Sequence, residues 1–159
     1  MTYMQEVIKW QTNSVSVDDT EKLAAVIGNK LQGGEVIELI SDLGGGKTAF
    51  VRGLAKGMGS LDHVASPTFT ISRVYEAGKL SLHHFDFYRL NEPGIILNEI
   101  AELIGDPRVV IVIEWSDVIK HVLPTDRLTI EITTTGDTKR NIKFTCSLEM
   151  NYLIPEKQL

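Results

Sequence analysis

The chain has 159 residues, 43% of them hydrophobic and 23% charged, with a formal net charge of −5. A chain this long suits one domain over residues 1–159, with a core that buries roughly two-thirds of the unfolded surface. No apolar run approaches the ~20 residues that span a bilayer, which argues against a membrane protein. The 16 Lys and Arg are scattered among 21 Asp and Glu, so no basic stripe is expected to grip RNA or DNA directly. A role beside a nucleic-acid-handling partner stays open. The opening MTYMQEVIKW lacks a basic flank followed by an apolar stretch, so no secretory signal is read there. The lone Cys146 lies in an alternating stretch and reads as a reduced structural residue of a cytoplasmic protein.

In chain order, EVIKWQT alternates and predicts a strand. SVDDTEKLAAVIGNKLQGG sets a Ser or Asp cap ahead of Leu23, Val26, Ile27 and Leu31 at helical spacing, and Gly33–Gly34 is expected to end that helix. EVIELIS is an apolar run of strand length leading into glycines, and KTAFVRGLAKGMG puts Phe50, Val51, Leu54 and Met58 on one helical face. TFTISRVYEAGKLSLHHFDFY reads as two strands joined at Ala77–Gly78. NEPGIILNEIAELIGDP offers Asn91 as a cap, Pro93 in the first turn and Ile96, Leu97, Ile100, Leu103 and Ile104 as a core-facing stripe. RVVIVIEW is continuously apolar, as in a parallel strand buried on both faces. A short helix through DVIKHVL stops at Pro124, and RLTIEITTTGDTKRNIKFTCSL predicts a hairpin around Gly136–Asp137. The alternation predicts a three-layer α/β domain of the P-loop NTPase type, with a mixed, mainly parallel central sheet plus antiparallel hairpins.

The segment SDLGGGKT nearly matches the phosphate-binding pattern G-x-x-x-x-G-K-[ST], except that Ser41 replaces the first glycine. A buried strand feeds it and a helix is expected to start at Lys47, as the pattern requires. Gly44, Gly45 and Gly46 allow successive N–H groups to turn inward around phosphate oxygens, and the helix start adds its positive end. Lys47 would bridge the outer phosphates and the Thr48 hydroxyl would ligate Mg²⁺. Ser41 is tolerable if the chain leaves the strand there without positive φ. The competing reading is a glycine-rich turn with a solvated lysine.

Two downstream features favour the phosphate site. VVIVIEW delivers Glu114 at a strand's carboxyl end, where parallel α/β sheets collect ligands and an acid can hold a metal-bound water. In HHFDFYRL, alternation groups His84, Asp86 and Tyr88 on one face and His83, Phe85 and Phe87 on the other. Asp86 would be a second carboxylate near Mg²⁺, orienting water or acting as a base. The paired histidines read as packing and hydrogen bonding, because adjacent strand residues point apart and no further ligand comes at zinc spacing. SPTFT offers Pro67 to set a turn and the hydroxyls of Thr68 and Thr70. It reads either as a switch closing on a γ-phosphate or as a plain Ser-Pro turn. Three readings of such a site are weighed: an ATPase whose hydrolysis resets a partner complex, a small-molecule kinase, and a non-catalytic nucleotide-binding module.

SDLGGGKT, SPTFT, HHFDFYRL and VIEW, in this order and spacing, resemble the bacterial ATPase of the tRNA threonylcarbamoyladenosine pathway, the TsaE or YjeE family. The resemblance runs from about Glu35 to Trp115 and more loosely over both ends. The chain departs from the family at Ser41, commonly glycine there, and at Gly45, often alanine. The resemblance implies a P-loop ATPase using ATP and Mg²⁺, bound by the stretch Asp42, Leu43, Gly44, Gly45, Gly46, Lys47, Thr48 and Ala49. By the same likeness Thr48 and Glu114 hold Mg²⁺, Asp86 assists the metal or the hydrolytic water, and Trp115 sits near the nucleotide. The partners implied are the TsaD- and TsaB-type proteins of the threonylcarbamoyl transferase complex, with tRNA reached through them.

Overall fold

The computed structural model describes residues 6–42, 44–67, 71–90, 92 and 94–155. Leu43, Thr68 and Thr70, the Asn91 cap and the Pro93 turn lie outside these residues. Seven strands form one sheet: β1 (Val7–Ser14), β2 (Val36–Ser41), β3 (Ser72–Ala77), β4 (Leu80–Asp86), β5 (Val109–Glu114), β6 (Leu128–Thr134) and β7 (Arg140–Ser147). Three helices accompany them: α1 (Val17–Lys30), α2 (Lys47–Met58) and α3 (Gly94–Leu103). The strand order is β1-β7-β6-β2-β5-β4-β3. Its centre, β6-β2-β5-β4, is parallel throughout, and both margins are antiparallel: the hairpins β3–β4 and β6–β7, with β1 added to β7 from the far end of the chain. The mixed α/β architecture matches the sequence pattern, and the expected DVIKHVL helix is a 3₁₀ segment, Ser116–Val122.

Apolar side chains fill both sides of the sheet, giving the three layers. On one face α1 and α2 cover Ile37, Leu39, Val110, Val112, Ile130 and Phe144. On the other, α3 and the 3₁₀ segment cover Val36, Phe85, Ile111 and Ile113. Strand β5 is buried along its whole length because it contributes to both cores. In α3 the expected stripe faces inward, with Ile100 fully buried and Ile96, Leu97, Leu103 and Ile104 packed around it. Buried Cys146 lies in the first core, and burial pushes its thiol pKa up, which suits an unreactive packing residue.

Two details of α1 correct the sequence expectation. The helix starts as expected, with Ser16 accepting from the Asp19 N–H at 3.1 Å and Asp18 and Asp19 in the first turn. It ends at Lys30, before the Gly33–Gly34 pair. There the chain turns extended at Leu31, and the Glu35 carboxylate takes the Gln32 and Gly33 N–H groups at 2.8 and 2.6 Å. Val26 faces outward and is 46% exposed, while the buried face runs through Thr20, Ala24, Ile27 and Gly28. Close approach of α2 selects this small-residue face: a Cβ on Gly28 would stand 2.3 Å from the Leu54 carbonyl oxygen. That approach docks α2 on the sheet and fixes where its N-terminus points.

Candidate functional site

Strand β2 delivers the chain into the glycine loop, and α2 begins at Lys47. Gly46 caps the helix in the left-handed region, φ 102°, a conformation that favours glycine. Ser41 has no positive φ and still pairs with Ile132 of β6, so a serine costs nothing in backbone strain there. Its hydroxyl donates to the Asp42 carbonyl at 2.9 Å and fills space beside the loop. A Cβ on Gly45 would stand 1.7 Å from Ser41 Oγ and 2.9 Å from the Asp42 carbonyl oxygen, so a side chain at 45 would have to turn the serine hydroxyl aside and also crowd the loop backbone.

Lys47 curls back onto the loop, its Nζ donating to the Ser41 and Asp42 carbonyls at 3.0 Å each. The ammonium also lies 5.0 Å from the centre of the Trp115 ring, and Tyr88 leans on that ring at 5.0 Å. Burial lowers the Lys47 pKa, against the pull of Glu114, Asp86 and Asp42.

The carboxylates come from adjacent parallel strands. Asp86 ends β4, Glu114 ends β5, and the two are register partners facing α2. Both are buried, at 4% and 3% exposure. His84, wholly buried, brings Nε2 to 3.4 Å from Glu114 Oε1, an ion-pair distance without the alignment of a hydrogen bond. Burial raises the Glu114 pKa, with His84 opposing and Asp86 adding to the rise. Glu114 Oε1 has no hydrogen-bond partner among the described residues.

Backbone strain flanks the same carboxylates. Among the described residues the non-glycine positions with positive φ are Ile71 (67°) and Trp115 (55°). The Ile71 carbonyl accepts the Asp86 N–H at 2.8 Å, and Trp115 directly follows Glu114. The Trp115 turn is held from below, where Ser116 Oγ donates to the buried Glu38 carboxylate. Unusual backbone therefore coincides with the two acids, a pattern common at functional sites.

A cleft of about 280 Å³ lies between loop and strand ends, and Gly44, Gly45, Gly46, Lys47, Thr48, Asp86, Glu114 and Trp115 all line it. Of the other residues singled out in the sequence, Asp42 is exposed, Ala49 is buried in α2, and neither lines the cleft. Ser66 of SPTFT does line it. The Tyr75 hydroxyl holds that segment by donating to the Ala65 carbonyl at 2.9 Å.

His84 was read from the sequence as a packing residue, and its place beside Glu114 was missed. Its alternation with Asp86 was the available signal. Among the described residues no set of three His, Cys, Asp or Glu gathers to hold a metal unaided. The donor set fits Mg²⁺ nonetheless, because that ion keeps several waters and takes its other ligands from phosphates. A buried acid, Glu114, lining the cleft together with Thr48 is the kind of protein contribution such an ion uses.

A parallel strand entering a glycine loop, a helix starting at the following lysine, and a neighbouring strand ending in a buried acid define an α/β protein of the P-loop type. The family model described as threonylcarbamoyl adenosine biosynthesis protein TsaE matches residues 14–142. The chain belongs to the TsaE family. The tRNA threonylcarbamoyladenosine biosynthesis protein TsaE of Bacillus subtilis is 38% identical over 138 residues, covering 87% of this chain and 85% of the relative. That of Treponema pallidum is 38% identical over 129 residues, covering 81% and 95%. The crystal structure of Bacillus subtilis YdiB superposes with a TM-score of 0.72 at 33% identity, over 93% of this chain and 90% of that one.

Proposed function

We propose that this chain is a Mg²⁺-dependent ATPase that supports threonylcarbamoyladenosine formation in tRNA. It acts in the cytoplasm as an ATP-driven switch on TsaD- and TsaB-type partners and meets tRNA through them. The names of its relatives support the pathway, and the acidic net charge of −5 suits a subunit that works on a partner complex. No helix among the described residues is long and apolar enough to cross a membrane.

One observation carries the catalytic reading: the loop, Thr48, Asp86 and Glu114, distant in sequence, converge on one cleft. In this reading the loop amides and the N-terminus of α2 receive the phosphates. Lys47 leaves the Ser41 and Asp42 carbonyls for the outer phosphates, exchanging two neutral acceptors for an anionic one. Thr48 and Glu114 hold Mg²⁺, whose chemistry is to neutralise charge developing on the transferring phosphate. Asp86 would orient the attacking water or help to hold the ion. Trp115 closes the cleft beside the nucleotide, next to the surface offered to partners.

The decisive experiment measures ATP binding and hydrolysis with Mg²⁺, first alone and then with the partner proteins. Turnover is expected to be slow alone and to rise on docking, with Lys47→Ala losing about a hundredfold or more. Absence of ATP binding by the intact chain, or full turnover by the lysine variant, would end this reading.

A further inference from the structure

Arg140 opens β7 and lies 95 positions beyond the loop it touches. Its Nε donates to the Gly45 carbonyl at 3.0 Å, while Nη1 donates to the Gly136 and Lys139 carbonyls at 3.2 and 2.9 Å. The guanidinium thus ties the glycine loop to the β6–β7 turn. Its Nε lies 3.9 Å from where a Cβ on Gly46 would stand, so it runs alongside the helix cap.

The Gly45–Gly46 peptide is trans, so its carbonyl and its N–H point in opposite directions. A cation fixed on the carbonyl therefore turns the Gly46 N–H away from Arg140. It also polarises the peptide, which strengthens that N–H as a donor. Gly46 lines the cleft and caps α2, where the helix already favours an anion. Arginine suits the task because a planar fork can serve carbonyls from two segments at once, which a single ammonium does poorly.

We infer that Arg140 is a positioning residue of the nucleotide site, setting the Gly46 amide toward a phosphate oxygen common to ADP and ATP. The inference rests on the nucleotide reading above. It differs from a role on the transferring phosphate, which would show in turnover and leave ADP affinity alone.

The test compares equilibrium binding of ADP and of a non-hydrolysable ATP analogue to the intact chain and to Arg140→Gln and Arg140→Lys. Arg140→Gln is expected to weaken both nucleotides alike, by about tenfold, the worth of one charge-assisted hydrogen bond. Arg140→Lys should fall between, and turnover at saturating ATP should stay within about twofold, since the lost interaction is uniform across the reaction. In Arg140→Ala, added guanidinium ion should restore part of the affinity, which a purely structural loss would not permit. Should Arg140→Gln fail to fold, Arg140→Lys carries the comparison. Unchanged affinity in a folded Arg140→Gln chain would overturn the inference. So would a fall in turnover with ADP affinity intact. A wild-type chain that binds neither nucleotide would sink this inference together with the reading beneath it, whereas wild-type binding with indifferent variants sinks this inference alone.

Discussion

Glu38 and Glu114 sit on neighbouring parallel strands, at 1% and 3% exposure. Their surroundings differ in kind. Glu38 accepts from Ser116 Oγ, from Arg127 Nε at 3.4 Å and from Thr129 Oγ1 at 3.3 Å. Glu114 has His84 nearby at 3.4 Å but leaves one buried oxygen without a hydrogen bond. Burying a carboxylate is costly unless it is paired, and the first acid meets that requirement within the fold. The second meets it only in part, with His84 at an ion-pair distance and no hydrogen bond to Oε1, and its residue lines the cleft. One glutamate holds the structure, and the other is the acid proposed to meet a ligand.

The largest effect that can break this comparison is on turnover. Glu114→Gln keeps shape and volume but removes the charge proposed to hold Mg²⁺, so ATP hydrolysis should fall about a thousandfold, the upper range for one transition-state charge contact. Single-turnover assays at saturating ATP and varied Mg²⁺ read it directly. A variant with near-normal rate would mean that Glu114 is a second structural acid and that the contrast is false.

Next comes stability. Glu38→Ala takes the acceptor from Arg127 Nε, whose Nη1 stays on the Pro124 carbonyl, and from two hydroxyls, and should destabilise the chain by about 3 kcal/mol, measured by denaturant unfolding. Glu38→Leu combined with Arg127→Met should recover much of that loss, since apolar replacement of a whole buried pair is often neutral. If Glu38→Ala unfolds at the wild-type midpoint, the satisfied acid contributes little and its contacts are incidental.

This contrast shows why the sequence revealed some features and hid others. The strand-loop-helix unit was legible because glycine spacing, the apolar run before it and the lysine are local signals. Glu114 was legible as the terminus of a continuous apolar strand. Glu38 sits inside an equally apolar run, and only the meeting of Ser116, Arg127 and Thr129, from 78 to 91 positions away, shows its role. Ser41 and Gly45 were legible as two separate departures from a pattern. Three-dimensional contact joins them, because the serine hydroxyl, with the Asp42 carbonyl, crowds the place of a side chain at 45. The early end of α1 was hidden likewise, since Glu35 satisfies the N–H groups that the glycines were expected to release into a turn. Burial of Val26 was misjudged because helical spacing ranks positions by hydrophobicity, whereas close helix contact selects for smallness.

The smallest effect sharpens the contrast most, because it reads the unmet charge itself. Burial first, and Asp86 in addition, hold the Glu114 pKa above its ordinary 4.5 against the opposing pull of His84. From that value up to the raised one, the native state binds more protons than the unfolded chain, so ligand-free stability declines as pH rises through the window. Glu114→Gln removes this decline. The melting temperature of the ligand-free variant should therefore match wild type below the ordinary carboxylate value and exceed it modestly near neutrality, a stabilising change at a site where the same change is expected to cost activity. Mg²⁺ and ATP should reverse the order, because they stabilise only the chain able to bind them tightly. A melting difference that stays constant with pH would show that Glu114 enters the fold already satisfied, as Glu38 does, and the division between the two acids would then have to be withdrawn.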